Sequence, residues 1–257
     1  MDAPPGPGVW RRVGPDALDP RAAVDRPLRL LDRMADVGPP VTSWSTVTRP
    51  CLVLGRTGRP AGVNAAHAAA AGIEVVERRS GGQPVLWDAG LLSLDVVLPP
   101  GHALAGRDVT LAYRWLGDAL ANGLRDAGVP GTRTVSIGEA REHAARGDAQ
   151  ATRARRACFG ALSPFEVVAA DGRKLVGLAQ ARRRAGTLFQ CGVLMRWAPA
   201  TLAACLEADP GEAERLAAAL GASATDVATA APGVSAADVV AAVDARLAAA
   251  LGAVATT

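Results

Sequence analysis

Apolar residues recur along this chain at two spacings, three or four residues apart in some segments and two residues apart in others. Between Asp108 and Gly128, the segment 109–127 has apolar side chains at the helical spacing, so the pattern predicts a helix bounded by those two residues. The segments 21–36 and 61–71 show the same spacing over shorter lengths. We therefore predict helices in all three segments.

Short apolar runs that end at Gly, Pro or Asp predict strands instead. Such runs occupy residues 50–56, 73–79, 83–88, 91–99, 132–137 and 187–197. Strands mixed with helices and followed by a helical end predict an α/β (α+β) domain with a mixed β-sheet flanked by helices. Composition divides the chain into a flexible arm at 1–20, a main domain at 21–198 and an Ala-rich helical C-terminal segment at 199–257.

The segment 165–180 has the clearest hairpin pattern, because Asp171-Gly172 between two apolar runs suits a two-residue type I′ turn. In that register Lys174 lies opposite Ala169, a small neighbour that leaves room for a long side chain. Strict alternation then places on one face of the strand Lys174, Val176, Leu178 and Gln180. The sequence therefore predicts that the side chain of Lys174 reaches into a cavity.

The 257 residues include 28 Lys+Arg and 25 Asp+Glu, with a hydrophobic content of 49% and a charged content of 21%. This balance favours a folded core and disfavours both global disorder and a nucleic-acid-binding module. No apolar stretch approaches the roughly 20 residues that cross a bilayer, and the N-terminus lacks the basic start and apolar run of a leader. We expect a cytoplasmic protein with neither a nucleic acid nor a membrane as partner.

The four cysteines lie far apart with no CxxC pair, and the three histidines lack the spacing of metal ligands. We therefore expect free thiols and no metal site. Cys158 differs from the others because Arg153, Arg155 and Arg156 precede it, and nearby cations favour the nucleophilic thiolate. A buried structural cysteine is the alternative interpretation.

Lys174 is the only lysine among the 28 Lys+Arg, so arginine supplies every other basic side chain of these two types. Lysine offers a compact ammonium on a narrow stem, which suits a phosphate or a carbonyl group deep in a pocket. The retention of one lysine in such a biased composition indicates either a specific need or chance survival at an exposed turn.

A glycine turn between two predicted strands is a second candidate binding element, with the sequence Arg78-Arg79-Ser80-Gly81-Gly82-Gln83. Glycines let the backbone approach a ligand and direct its N–H groups outward, and arginines favour an anionic or carbonyl-bearing ligand. An ordinary glycine turn with solvated arginines fits the same residues.

Together these elements resemble the lipoate-protein ligase and octanoyltransferase family over about residues 45–200. The resemblance rests on Arg78-Arg79-Ser80-Gly81-Gly82 with Asp88-Ala89-Gly90, and on Gly172-Arg173-Lys174-Leu175-Val176-Gly177-Leu178-Ala179-Gln180. It implies the fold shared with biotin protein ligases and related to class II aminoacyl-tRNA synthetases. It also implies that Lys174 and the glycine turn hold an acyl carbonyl beside a hydrophobic tunnel, with Cys158 as the nucleophile.

The resemblance also implies a set of site residues. The catalytic residues are expected to be Cys158 and Lys174, and no metal ligand is expected. The substrate-binding residues are expected to be Arg78, Arg79, Ser80, Gly81, Gly82, Gln83, Asp88, Gly177, Ala179 and Gln180.

Two segments depart from the family pattern. Gln83-Pro84 and Trp87 stand where the first motif usually has a third glycine and a later histidine. The stretch Ser163-Pro164-Phe165-Glu166 stands where ATP-using ligases tend to carry an Asn-Asp pair. The second departure weakens the case for adenylation.

By this resemblance, the function is transfer of a lipoyl or octanoyl group to a lysine of a lipoyl domain, through a thioester on Cys158. The acceptors would be lipoyl domains of 2-oxoacid dehydrogenase or glycine cleavage proteins, an acyl carrier protein could be the donor, and no cofactor is required. One alternative is a lipoate-protein ligase that uses ATP and Mg and holds a lipoyl-adenylate at Lys174. Another is a non-catalytic acyl-binding or partner-binding protein, because Gln83 and Trp87 alter the first motif.

Overall fold

The computed structural model describes residues 10–36, 38–55, 63–78 and 81–254. The strands in this part of the chain are β1 (Arg11–Leu18), β2 (Val41–Val47), β3 (Cys51–Leu54), β4 (Glu74–Glu77), β5 (Val85–Trp87), β6 (Leu91–Leu98), β7 (Arg133–Thr134), β8 (Val167–Val168), β9 (Lys174–Arg183) and β10 (Gly186–Leu194). The α-helices are α1 (Pro20–Asp32), α2 (Ala65–Ala70), α3 (Arg114–Asp126), α4 (Ile137–Ala145), α5 (Ala149–Ala154), α6 (Pro199–Leu206), α7 (Pro210–Ser223), α8 (Val227–Ala230) and α9 (Ala236–Val254). Among the described helices, none combines the length and the apolar character that a membrane span requires.

Seven strands form a central mixed sheet in the order β1-β2-β6-β10-β9-β8-β7. β1 and β2 are parallel, and the other neighbouring strands are antiparallel. One face of this sheet packs on α3 and α9, where Leu94 of β6, Leu120 of α3 and Val243 of α9 belong to one apolar cluster. The other face packs on α1, where Leu31 and Val97 share a second cluster. The mixed sheet flanked by helices that the sequence predicts is therefore present.

A smaller sheet has the strand order β4-β3-β5. β3 and β4 are parallel, with α2 between them in the chain, as the strand-helix-strand pattern of the sequence predicts. Leu52 and Leu86 of this sheet share an apolar cluster with Leu202 of α6 and Leu216 of α7. The C-terminal helices thus pack on both sheets, α6 and α7 on the small one and α9 on the central one. The predicted division at residue 198 stays a proposal about folding units.

The N-terminal arm predicted for residues 1–20 is corrected in its second half, because β1 pairs with β2 along the edge of the central sheet. The register of this pairing shifts at Gly14-Pro15. Gly14 has a φ of 84°, and a Cβ there would lie 2.3 Å from the carbonyl oxygen of Trp44. Glycine and proline therefore mark a bulge within a strand at this position. Residues 1–9 lie outside the described residues.

α1 is held by an apolar face and by peripheral ion pairs. Its buried side chains are Pro20, Ala23, Pro27 and Leu31. Three ion pairs connect α1 and its N-cap to neighbouring segments: Arg21–Glu74 at 2.9 Å, Arg26–Asp16 at 2.7 Å and Arg49–Asp19 at 2.7 Å. Because partly exposed pairs of this kind contribute at most about 1 kcal/mol each, the apolar face determines where the helix sits.

Gly123 of α3 approaches α9 closely, and a Cβ at this position would lie 2.7 Å from Cα of Val243. A backbone atom cannot move aside as a flexible side chain can, so Gly123→Ala should lower the free energy of unfolding by about 1–3 kcal/mol. Urea unfolding followed by circular dichroism measures this change.

Gly252→Ala in α9 is the matched control, since nothing lies within 4 Å of the Cβ position there. Because alanine favours the helix over glycine by up to about 1 kcal/mol, this variant should be as stable as the unsubstituted protein or slightly more so. Equal stabilities of the two variants would contradict the close packing of α3 on α9.

Candidate active site

A cavity of about 120 Å³ lies where α1, the small sheet and the central sheet meet. Apolar side chains form much of its wall: Val24, Leu28, Val53, Val85, Trp87 and Leu91. Cys158 and Phe159 border it from the segment between α5 and β8, and Gly177 and Ala179 border it from β9. The polar side chains at the wall include Arg78, Ser93, Glu166 and Gln190. An apolar wall with a few polar groups is typical of a pocket for an organic ligand.

Cys158 lies in a tight turn that follows α5. Its backbone N–H donates to the carbonyl oxygen of Pro84 at 2.8 Å, which ties the turn to the start of β5. The next residue, Phe159, is buried with a left-handed φ of 70°. At Gly160 a Cβ would lie 1.7 Å from the carbonyl oxygen of Ala154. A phenylalanine in this conformation is strained and persists only where its surroundings hold it, so the turn fixes Cys158 at the cavity.

Cys158 is the only one of the four cysteines with partial exposure. Burial raises the pKa of Cys51 to about 12, and it also raises the pKa values of Cys191 and Cys205. A raised pKa keeps a thiol protonated, and the protonated thiol is the weaker nucleophile. Cys191 borders the cavity as well but is only 2% exposed. Cys158 is therefore the cysteine best placed for chemistry in the cavity.

The hairpin at Asp171-Gly172 is present, but its loop is longer than the sequence predicts. The N–H of Ala169 donates to the carbonyl of Arg173 at 2.9 Å, and the N–H of Gly172 donates to the carbonyl of Ala169 at 3.0 Å. Gly172 has a φ of 81°. These bonds define a three-residue loop with a glycine bulge, so the expected two-residue type I′ turn is wrong. Because Ala169 faces Arg173, the predicted pairing of Ala169 with Lys174 is also wrong.

A β-bulge at the start of β9 determines the direction of the Lys174 side chain. Val168 pairs with Lys174 whereas Val167 pairs with Val176, so Leu175 is an extra residue on β9. An extra residue reverses the alternation of side chains in the rest of the strand.

As a result, Lys174 shares a face of the strand with Gly177 and Ala179, both of which border the cavity. A Cβ at Gly177 would lie 3.4 Å from Cε of Lys174. The sequence predicts that Val176, Leu178 and Gln180 lie on the same face as Lys174, and this prediction is wrong. Without the bulge, Lys174 would point toward the opposite face of the sheet.

The Lys174 ammonium is buried, with 5% of its side chain exposed. It lies 2.6 Å from Oε1 of Glu166, donates to the carbonyl of Ala161 at 3.0 Å and lies 5.3 Å from the ring centroid of Phe159. Glu166 and Phe159 border the cavity, whereas Lys174 is not among the described residues at its wall. The expectation that this amine projects into the cavity is therefore corrected, because the ammonium is held beside the cavity by residues that line it.

Glu166 is the functional candidate that the sequence analysis misses. Its side chain is 4% exposed, and Oε1 accepts from both Lys174 and the N–H of Leu178, the latter at 3.1 Å. Oε2 accepts from the N–H of Ser163 at 2.7 Å. A buried carboxylate requires partners of this kind. The available signal in the sequence is one charged residue at the start of the apolar run 165–169, in the stretch that departs from the ligase motif.

The glycine turn reaches the cavity through Arg78. This side chain borders the cavity, and its Nη2 donates to the carbonyl of Gln83 at 3.3 Å. Gly82 has a φ of 107°, and a Cβ at Gly55 would lie 2.1 Å from its carbonyl oxygen. Gly82 therefore suits glycine because of its positive φ, and Gly55 suits glycine because its backbone approaches that of Gly82 closely.

Other predicted substrate-binding residues have a different placement. Gly81 and Gln83 are exposed, and Arg79 and Ser80 lie outside the described residues. Asp88 accepts from the N–H of Gly90 at 2.8 Å in the turn between β5 and β6. Gln180 donates to the carbonyl of Val109 at 2.7 Å and so anchors the loop before α3. The structure therefore gives Asp88 and Gln180 structural hydrogen bonds instead of a place at the cavity wall.

A buried polar layer adjoins the cavity on the face of the central sheet that meets α1. Asp95 of β6 is 1% exposed and pairs in register with Ser43 of β2 and Gln190 of β10. Burial raises the pKa of Asp95 to about 7, although the neighbouring Gln190 side chain and the charge of Arg26 oppose this shift. The described residues contain no group of three or more His, Cys, Asp or Glu side chains that could hold a metal ion.

The family model for the lipoyl protein ligase A/B catalytic domain matches residues 19–248, which include the small sheet, every strand of the central sheet except β1, and the cavity. The chain belongs to this family. The resemblance inferred from the sequence motifs is thereby confirmed, and so is the expectation that the protein is an enzyme of this family.

Curated relatives of this chain include two proteins named octanoyltransferase LipM. The one from Exiguobacterium sp. is 35% identical over 120 residues, which are 47% of this chain and 41% of that protein. The one from Kyrpidia tusciae is 30% identical over 202 residues, which are 77% of this chain and 70% of that protein. The match thus spans less than half of the Exiguobacterium protein.

Solved structures of the family share the fold. The chain superposes on a bi-partite lipoate protein ligase from Thermoplasma acidophilum with a TM-score of 0.72 and 18% identity, covering 94% of this chain and 83% of that one. At this identity the likeness establishes the fold alone. The expected α/β class, with a mixed sheet flanked by helices, is confirmed.

Asp95 should make stability depend on pH. The folded protein keeps the carboxyl proton of Asp95 up to about pH 7, whereas the unfolded chain releases it at about pH 4. Ionisation of Asp95 therefore lowers the free energy of unfolding as pH rises between these values. This lowering of the free energy of unfolding is absent below about pH 4 and reaches about 4 kcal/mol above pH 7. Relative to the unsubstituted protein, Asp95→Asn should gain stability as pH rises from about 4 to 7.

Denaturant unfolding of both proteins at several pH values in this window measures the difference. A difference in stability that stays constant from pH 4 to pH 7 would show that Asp95 is ionised in the folded protein.

Proposed function

We propose that this chain transfers an octanoyl or lipoyl group from a thioester donor to a lysine of a lipoyl domain, through an acyl thioester on Cys158. The observation that supports this most is the position of Cys158, a partly exposed thiol at an apolar cavity. The curated relatives named octanoyltransferase support the same reaction.

In the first half-reaction, the Cys158 thiolate attacks the carbonyl carbon of the donor thioester. The carbonyl oxygen gains negative charge in the tetrahedral intermediate, and the donor thiolate leaves as the carbonyl re-forms. The products are an acyl thioester on Cys158 and a donor thiolate, which takes a proton from solvent. Val24 and Leu28 of α1 and Trp87 of β5 provide apolar surface for the acyl chain. An acyl carrier protein is the donor that we propose.

Lys174 and backbone N–H groups of the glycine turn would stabilise the negative charge on the carbonyl oxygen. Donors of this kind contribute roughly 2.7–4 kcal/mol each in analogous acyl-transfer sites. An ammonium has three N–H donors, and Glu166 and Ala161 engage two of them. The third is the donor that we assign to the carbonyl oxygen.

In the second half-reaction, the neutral amine of the acceptor lysine attacks the acyl thioester. An amide forms, the Cys158 thiolate leaves, and the proton of the amine passes to solvent. The acceptors that we propose are lipoyl domains of 2-oxoacid dehydrogenase or glycine cleavage proteins. Both half-reactions proceed without a cofactor.

An ATP-dependent ligase of the same family is the alternative. It would use ATP and Mg and would hold a lipoyl-adenylate at Lys174. Exchange of labelled pyrophosphate into ATP that depends on lipoate would support the ligase, whereas an acyl adduct formed without ATP would support transfer. Stoichiometric acyl binding without a product on any lipoyl domain would instead indicate a non-catalytic binding protein.

Cys158→Ala should abolish the acyl adduct, because it removes the nucleophile and leaves the cavity wall in place. Intact-mass analysis after incubation with an octanoyl carrier protein measures adduct formation. Cys191→Ala is the matched control, since Cys191 borders the same cavity but is buried with a raised pKa. An adduct that persists in Cys158→Ala and disappears in Cys191→Ala would assign the nucleophile to Cys191.

A further inference from the structure

Glu166 is the acidic side chain that both borders the cavity and contacts Lys174. The two side chains are 4% and 5% exposed and 2.6 Å apart. Burying two such groups costs free energy that is offset only when they contact each other in a defined geometry. The location of the ammonium therefore depends on the location of this carboxylate.

The carboxylate of Glu166 is itself fixed by the backbone. The N–H of Ser163 donates to Oε2, and the N–H of Leu178 donates to Oε1. These donors belong to two different segments, the connection before β8 and the middle of β9. Because backbone N–H groups in packed segments have little freedom, both oxygens of Glu166 have fixed positions.

The segment that restrains the ammonium directly follows the proposed nucleophile. Phe159, Ala161 and Glu166 all contact the Lys174 ammonium. Cys158 immediately precedes this segment and borders the same cavity. The lysine has a long flexible stem, so without these contacts its ammonium would adopt many positions. With these contacts, the position of the ammonium relative to Cys158 is determined by the short segment 159–166.

We propose that Glu166 is a positioning residue for acyl transfer, which holds the ammonium of Lys174 where the carbonyl oxygen of the thioester gains negative charge. This inference rests on the function proposed above. A displacement of about 1 Å in such a site reduces the rate about 100-fold, which sets the size of the expected effect.

The first test uses Glu166→Gln and Glu166→Asp in the full chain. The rate of acyl-enzyme formation is measured in single turnovers with an octanoyl carrier protein, as a function of donor concentration. Glu166→Gln should slow this step about 100-fold, with the half-saturating donor concentration within about threefold of its original value. Glu166→Asp keeps the charge but shortens the side chain, so it should slow the step at least about tenfold. An unchanged rate in either variant would overturn the proposal.

Asp244→Asn is the matched control for the loss of a buried carboxylate. Asp244 is 5% exposed, accepts from Nε1 of Trp44 at 2.8 Å and pairs with Arg12. It belongs to α9, on the face of the central sheet opposite the cavity. The variant should lose stability on heating and keep its acylation rate per folded molecule. A similar loss of rate in Asp244→Asn and Glu166→Gln would reduce the role of Glu166 to general stability and overturn the proposal.

The second test combines Glu166→Gln with Lys174→Met. If Glu166 acts through Lys174, Glu166→Gln should slow acylation by less than about threefold in the Lys174→Met background, because contacting residues are not additive. A full additional loss would overturn the positioning role. Formation of the adduct by the unsubstituted protein separates the two proposals. Its absence would overturn both, whereas its presence with additive losses would overturn only the role of Glu166.

Discussion

A buried ion pair between Lys174 and Glu166 organises the region around Cys158. Moving two charges out of water costs several kcal/mol per ion, which is offset only by close contact and by further hydrogen bonds to both groups. Here the contact is 2.6 Å, two backbone N–H groups donate to the carboxylate and one carbonyl accepts from the ammonium. These requirements connect the segment 159–166 to β9, so direct contacts join the hairpin to the turn at Cys158.

The sequence predicts the elements whose signals are periodic and local. Apolar spacing indicates α3 and the strands at the centre of the large sheet, and the run from β3 through α2 to β4 follows from the same pattern. β1 is not predicted because it forms by pairing with β2, a contact distant in sequence that leaves little pattern in a segment containing Gly14-Pro15. Propensity is a weak guide for such edge strands, since tertiary pairing overrides it.

The candidate site is less predictable than the fold for a related reason. Composition singles out Lys174, and Asp171-Gly172 indicates the hairpin, but the direction of the lysine side chain depends on one extra residue, Leu175. A bulge has no periodic signature, and a shift of one residue exchanges the two faces of a strand. Glu166 and Asp95 are single charged residues within apolar runs, so only the three-dimensional structure shows which partners each one has. The similarity of the motifs identifies the family. Asp88 and Gln180 match those motifs, but in the structure their side chains form hydrogen bonds with the backbone of loops.

The wall that α1 contributes to the cavity has a consequence for substrate range in the proposed reaction. Val24 and Leu28 border the cavity from a helix that is no part of either sheet and is held by its apolar face and by side-chain ion pairs. Packed helices slide by small amounts without disrupting the elements beneath them. A relative could therefore accept a longer or shorter acyl chain through substitutions under α1 alone, while the apparatus that forms and breaks bonds stays unaltered. In the proposed reaction, the α1 side of the cavity and the segment that contains Cys158 are therefore separate targets for substitution.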